Sequence, residues 1–534
     1  MQYSRKSKVK INALPLLAAL ILLAALRVMA APGVFESDAP LTPENKIDEL
    51  VFAKLHELNM RPARVCPDTV FVRRIYLDAI GTLPTAAEAE DFIMNRNPDK
   101  RRILTDRLLN RQEFADYWSM KWSDLLRIKA EFPINLWPNA AQAYHHWVRD
   151  CIEKDVPYDK FAADLLTASG SNFADPRVNF YRALQKKDPA TIAQTVALTF
   201  MGTRLEKWPA QKRKDFEAFF SNLGYKTTLE WKEEIVYFDS APTNAPAVPS
   251  WPRLATFPDG TTTLIAQNQD PRAVFAAWLT KTNNPWFARN IVNRVWSWLM
   301  GRGIINEPDD IRADNPPVNP ELLAYLENEL VTSGYDLKHI YRLILNSRTY
   351  QLSCIPGADD PAAAANFASY PLRRLDAEVL IDAVDQITGT TESYSSAIPE
   401  PYTFIPDNVR SIALPDGSIT SSFLEMFGRP PRDTGLESER NNRTTAEQRL
   451  HWINSSHIQK KLEQSSLLRL QMQANETPRQ ITTSSYLTVL SRFPTEKELH
   501  TAETYFQTPG TPKRSAAIDI AWALLNSPEF LYRH

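Results

Sequence analysis

Apolar residues recur along most of this chain at intervals of three and four, the spacing of amphipathic helices. Between Pro43 and Met60, Ile47, Leu50, Val51, Leu55 and Leu58 share one stripe and predict a first helix. A second carries Phe71, Ile75 and Leu77, with Asp68 placed to cap its N-terminus. Arg74 and Asp78 stand four apart on it and so share a face. Pro84 ends that unit, and Thr85 with Glu88 forms a capping box for the next helix. The same periodicity predicts helices over 99–110, 112–128, 137–153, 157–168 and 188–202. It resumes over 271–281, 286–300, 320–333, 336–347, 375–388, 445–453, 456–463, 478–490, 496–507 and 512–526.

The pattern changes in residues 225–268. Glu234 to Phe238 and Thr261 to Ile265 have strand character, Asp259-Gly260 is a turn signal, and a proline-rich run spans Pro242 to Pro252. Residues 391–443 are loop-like, rich in Pro, Ser, Asn and Arg. The expected fold is therefore mainly α. Two helical domains, 40–224 and 269–534, flank a proline-rich connector (225–268) with a few short β-strands. Abundant proline (39) beside scarce glycine (15) fits helices separated by stiff connectors.

One pattern occurs twice. Tyr76-Leu77, Ile80, Leu83-Pro84-Thr85 and Glu88 match Tyr486-Leu487, Leu490, Phe493-Pro494-Thr495 and Glu498 position for position. Each copy is followed by Leu-Leu-Asn-x-x-Glu-Phe, ending at Phe114 and Phe530, and Ile344-Leu345-Asn346 with Tyr350 is a weaker third echo of that piece. The repeat predicts a helix–corner–helix unit used twice, since proline stops one helix and threonine caps the next.

The first 31 residues stand apart from this pattern. Arg5, Lys6, Lys8 and Lys10 precede an apolar run from Ala13 to Leu26, and Val28-Met29-Ala30 is a small-residue cleavage site. This is the layout of a secretory signal peptide, and the run is short for a membrane span of roughly twenty residues. Removing residues 1–31 removes five positive charges and no acids, taking the net charge from -2 to -7. An acidic exported chain is not a natural nucleic-acid binder, and no later segment predicts a membrane span. Cys66, Cys151 and Cys354 allow one disulfide at most; three buried thiols are the simpler expectation.

Catalytic signatures are missing. The chain has no nucleophile elbow, phosphate loop or dinucleotide fingerprint. Its eight histidines form no metal-binding motif: His145-His146 diverge on a helix, and His451 and His457 are six apart, a poor chelate on one helix. No metal site is expected. The strongest polar cluster is Glu307, Asp309, Asp310, Arg312, Asp314 and Asn315, preceded by Asn293 and Arg294. Such carboxylates on a proline-braced loop would suit a cation or acid/base work on a glycan; equally they would pair with Arg294 and Arg312 in a solvated loop. Arg74, Asp78, Arg373, Arg374 and Asp376 read as structural ion pairs that dock helical layers. The tryptophans, among them Trp118, Trp122, Trp147, Trp278, Trp286, Trp296 and Trp298, fall at core spacing; exposed, they would stack on sugar rings.

An ordered series of motifs spans most of the chain. It begins with Phe71 to Asp78, Gly81 to Thr85, Phe114-Ala-Asp-Tyr-Trp118 and Gly202 to Leu205. It continues with Asn283 to Arg289, Asn293-Arg294, Gly301-Arg302-Gly303, Asn315-Pro316-Pro317, Arg373 to Glu378, Phe427 to Pro431 and Asn526 to Phe530. In this the chain resembles the planctomycete-type PSCyt/PSD proteins, an exported two-domain family. The resemblance implies architecture and export, and no reaction. Many members carry C-x-x-C-H after the equivalent of Arg204-Leu205, where covalent haem attaches. Here Glu206-Lys207-Trp208-Pro209 follows, and no C-x-x-C exists in the chain, so covalent haem is not expected and no cofactor is implied. The expected function is a haem-free binding or scaffold protein of the periplasm or cell surface, with an exported protein or polysaccharide as partner. The alternative is an enzyme acting on exported polysaccharide through the acids of 307–315.

Overall fold

The computed structural model describes residues 33–240, 251–357 and 360–534. The signal-peptide segment and most of the proline-rich run lie outside them. The fold is mainly α, as expected, with short strands in three small sheets. Nearly every helix foreseen from periodicity is present; Ala210–Glu217, Ser422–Met426 and Ser466–Gln473 are additions, and residues 391–443 are otherwise largely irregular.

Phe287–Met300 forms the central helix. It is buried along nearly its whole surface, and the polar stripe of its sequence is buried with it, Asn290 bonding Thr199 O, Asn293 bonding Ile305 and Arg294 pairing with Asp309. Buried apolar residues from Ile47 to Phe530 pack into one continuous core, so the two halves of the sequence are not separate globules. Of the seven tryptophans expected at core positions, five are buried and Trp147 and Trp286 are half-buried.

The connector strand Glu234–Phe238 pairs antiparallel with Leu223–Thr227 and with Gly170–Ser171 of the N-terminal half. Arg253–Thr256 and Thr262–Ile265 form a hairpin around Asp259-Gly260. Arg373-Arg374 pairs with Tyr532-Arg533 in a two-residue ladder, bringing the chain's last residues to the middle of the molecule.

The repeated motif folds as two helix corners, Asp68–Ala79 with Ala86–Met94 and Pro478–Leu490 with Glu496–Phe506. Both capping boxes are complete. Each corner turns through a left-handed residue at the same place, Gly81 (φ 60) and Ser491 (φ 58). Each also gathers an arginine, two glutamates and a tyrosine ring, but the arginine arrives from different positions. Arg111 meets Glu88, Glu113 and Tyr76; Arg492 meets Glu498, Glu529 and Tyr486. The geometry, rather than the sequence position, is what the two copies share. The corners also contact one another, and Arg73 of the first donates to Val489 O (2.7 Å) of the second and to Phe530 O (2.9 Å) beyond it.

Two expectations are corrected here. Asp68 is the first helical residue rather than the cap, and its carboxylate pairs with Lys100 (2.7 Å) and Arg101 (2.8 Å). His451 and His457 sit on consecutive helices rather than one, which brings His451 Nε2 to 3.4 Å from His457 Nδ1. All three cysteines are buried and unpaired. No helix among the described residues is long and apolar enough to cross a membrane.

Candidate functional site

The ion-pair residues meet where the two halves join. Asp78 accepts from Tyr350 (2.9 Å) and Tyr370 (2.7 Å) and pairs with Arg533 (3.2 Å) and Arg373 (3.6 Å). Asp376 pairs with Lys121 (2.9 Å) and Arg533 (3.1 Å) and accepts from Asn442 Nδ2 (2.7 Å). Burial disfavours its charge, yet Lys121, Arg533 and Arg440 outweigh this and hold the Asp376 carboxyl well below the usual aspartate range. The foreseen Arg74–Asp78 pair does not form. Arg74 turns to the carbonyls of Tyr350, Leu352 and His534 and stacks 3.7 Å from the Tyr370 ring centre. Arg374 likewise enters no ion pair among the described residues and bonds the carbonyls of Phe427, Asn441 and Asn442.

Beside this network opens a cleft of about 760 Å³. Lys121 reaches it from the N-terminal half; Ser297 and Trp298 come from the central helix, Gly301 follows it, and the remaining walls are residues 306–308, 372–374, 376, 437–438, 440–443 and 532–533. That volume falls within the roughly 300–1,000 Å³ common for small-ligand sites. Gly301 helps shape it: φ is 70° there, and a Cβ would lie 2.4 Å from Arg373 Cδ.

The acidic loop forms one rim, and its charges are paired. Asp309 is buried against Arg294 (2.7 Å) and accepts the Glu437 N–H (2.7 Å). Asp310 meets Lys207 (2.8 Å) and Arg312 (3.2 Å); burial opposes its ionisation, but these cations keep its carboxyl below the usual range. Asp314 meets Arg312 (2.7 Å), and Glu307 meets Arg204 (2.9 Å). Asn293 brackets Ile305 with bonds to its N–H and C=O, and Asn315 Nδ2 donates to Asn306 O and Asp310 O. Of the loop acids only Glu307 lines the cleft; Asp309, Asp310 and Asp314 do not.

Sequence reasoning missed Lys121, Glu437, Arg440, Asn442, Arg443 and Arg533. Two signals were available: Lys121 is a lone charge between Met120 and Trp122, and Glu439 to Arg443 concentrates polar residues in an otherwise featureless loop. His457 Nε2 lies 2.9 Å from Glu392, which continues the His451–His457 contact. Among the described residues no three His, Cys, Asp or Glu side chains are placed to hold a metal ion. After Arg204-Leu205 the chain makes a short turn and the Ala210–Glu217 helix, and Phe216, Phe219 and Phe220 pack on Phe275.

Two family models match the chain in tandem: PSCyt2, described as a protein of unknown function (DUF1549), over residues 46–218, and PSD1, described as a protein of unknown function (DUF1553), over 271–506. No curated protein and no solved structure matches it. The cleft draws its walls from both matched regions and from the C-terminal strand beyond them. The chain belongs to the two-domain PSCyt2–PSD1 family.

Proposed function

We propose that this is an exported, haem-free binding protein of the periplasm or cell surface whose ligand occupies the cleft between the two halves. One observation carries the reading: the cleft is a preformed recess whose walls are fixed by a buried charge network drawn from both halves. A rigid recess of this kind binds without first paying for its own ordering. Export is supported by the signal-peptide layout of residues 1–31 and by the family.

The second reading, an enzyme acting on exported polysaccharide, rests on Glu307, which stands on the cleft wall with its carboxylate held by Arg204. Glycoside hydrolysis ordinarily uses two carboxyl groups flanking the bond, and Glu307 stands alone among the loop acids on the cleft wall. The other loop acids serve cations or backbone outside the cleft, so the binding reading is the stronger.

Blocking the cleft tests the proposal. Ser438 is exposed on its wall while the native cysteines are buried, so Ser438→Cys accepts a bulky maleimide selectively. Binding to a panel of exported polysaccharides and proteins should be lost on labelling and kept in the unlabelled variant. Binding that survives the label overturns the cleft assignment. Release of product by the unmodified protein, abolished by Glu307→Gln, would favour the enzyme.

A further inference from the structure

We propose that His451 and His457 form a binding site for a zinc ion, with Glu392 holding one of the two imidazoles in place. The site lies apart from the cleft, and none of these residues lines that recess. On one continuous helix, six positions apart, the pair would be a poor chelate. The chain avoids that arrangement by breaking at Ser455, which ends the Ala446–Asn454 helix and caps Ser456–Glu463 by accepting the His457 N–H (3.0 Å). The break turns His451 Nε2 towards His457 Nδ1, and the two stand 3.4 Å apart. That is longer than the roughly 2.7–3.2 Å of a good N–H hydrogen bond. It matches two ligands on a tetrahedral zinc ion, since Zn–N bonds of about 2.0–2.1 Å put neighbouring nitrogens about 3.3–3.4 Å apart.

The surroundings suit an ion. His457 Nε2 meets the Glu392 carboxylate at 2.9 Å. In the neutral ring, a proton shared with Glu392 leaves the lone pair on Nδ1, the nitrogen that faces His451. A carboxylate on the far nitrogen is the common support of a metal-binding histidine. Glu392 is itself held by Lys461 (3.2 Å), which also pairs with Asp385, so the charged side chains meeting here sum to one negative charge and favour a cation. The Phe423 ring lies 5.7 Å from the His451 ring and 6.0 Å from the His457 ring, and Phe427 lies 5.9 Å from His451; these contacts fix the imidazoles while leaving both half-exposed. Among the described residues no third His, Cys, Asp or Glu joins the pair. Two coordination positions are therefore left to water or to a donor brought by a ligand, and zinc sites with open positions are those that meet ligands.

Calorimetry on the untagged full-length protein with Zn2+, and with Mg2+ as the control, tests this. Zn2+ should bind once, in the micromolar range, and Mg2+ should not bind. His451→Gln should weaken zinc binding at least tenfold with little change in the melting temperature of the metal-free protein, because the His451 ring bonds only His457 among the described residues. His457→Gln should weaken it as much; if that variant fails to fold, His451→Gln alone decides. Glu392→Ala should weaken it about tenfold, and Glu392→Gln, whose amide oxygen still accepts the His457 proton, should restore it. Co2+ in place of zinc should show the visible absorption of a tetrahedral ion and lose it in His451→Gln. No zinc binding, or zinc held as tightly by His451→Gln as by the unaltered protein, would overturn the site. Equal binding by Glu392→Ala would overturn the role given to Glu392, and an octahedral Co2+ spectrum would overturn the tetrahedral geometry.

Discussion

Replacing Arg533 with methionine should cost about 3 kcal/mol of stability at neutral pH, at the lower end of what breaking a buried ion pair does. Arg533 is 4% exposed and binds both interior aspartates, Asp78 at 3.2 Å and Asp376 at 3.1 Å, besides donating to Tyr117 Oη at 3.0 Å. Methionine preserves most of the apolar stem and removes the charge, so the loss reports the two carboxylates rather than a cavity. The lower end applies because neither acid is abandoned: Asp78 keeps two tyrosine hydroxyls and Asp376 keeps Lys121 and Asn442. Urea unfolding followed by tryptophan fluorescence reads the difference. The pH dependence gives a second readout. Asp376 has its folded pKa depressed below the usual 3.8, so its contribution is complete above that value and is lost as pH falls below it. The deficit of Arg533→Met should therefore persist down to about pH 4 and shrink only where the folded-state Asp376 carboxyl itself takes up a proton, below the usual aspartate range. A loss under 1 kcal/mol at pH 7, or one already gone at pH 5, would refute the charge account.

Three further predictions follow the same logic. Thr85→Ala and Thr495→Ala should each cost about 1 kcal/mol by opening a capping box, and the double variant should show whether the touching corners couple; losses under 0.3 kcal/mol would deny the caps a role. Gly202→Ala should lose at least 2 kcal/mol on a melting curve, since φ is 60° and a Cβ would lie 2.5 Å from Asn290 Oδ1 and 2.8 Å from Pro308 O; wild-type stability would contradict that packing. Burial raises the Asp385 carboxyl to about 6 despite Lys461, so the folded state binds more protons than the unfolded one between about pH 4 and 6. Its contribution to stability therefore grows as pH falls through 6 towards 4, and Asp385→Asn should flatten that slope in urea titrations; an unchanged slope would remove the group from the account.

The helices were legible in the sequence because each declares itself locally. Apolar spacing sets the buried stripe, Pro84 and Pro494 end helices, and Thr85 and Thr495 begin them, all within a few residues of chain. The duplicated corner was legible for the same reason. The Arg–Glu–Glu–Tyr cluster within it was not, because the arginine that completes it comes from a different position in each copy. The acidic loop shows the limit from the other side. Its acids were visible, but whether Asp309 faces solvent or Arg294 depends on how residues 304–311 fold back on the central helix, and Asn293 and Gly202 hold that course through backbone contacts.

The cleft is the extreme case. Lys121, Arg374, Arg443 and Arg533 are scattered over more than four hundred residues and carry no shared periodicity. The sequence by itself determined the helical elements, the corner repeat and the family, because those rest on short-range spacing and capping. Only the tertiary structure decided which charges are paired and which are left over. Pairing depends on distances of 3–4 Å between segments remote in sequence, and burial decides how much each such contact matters.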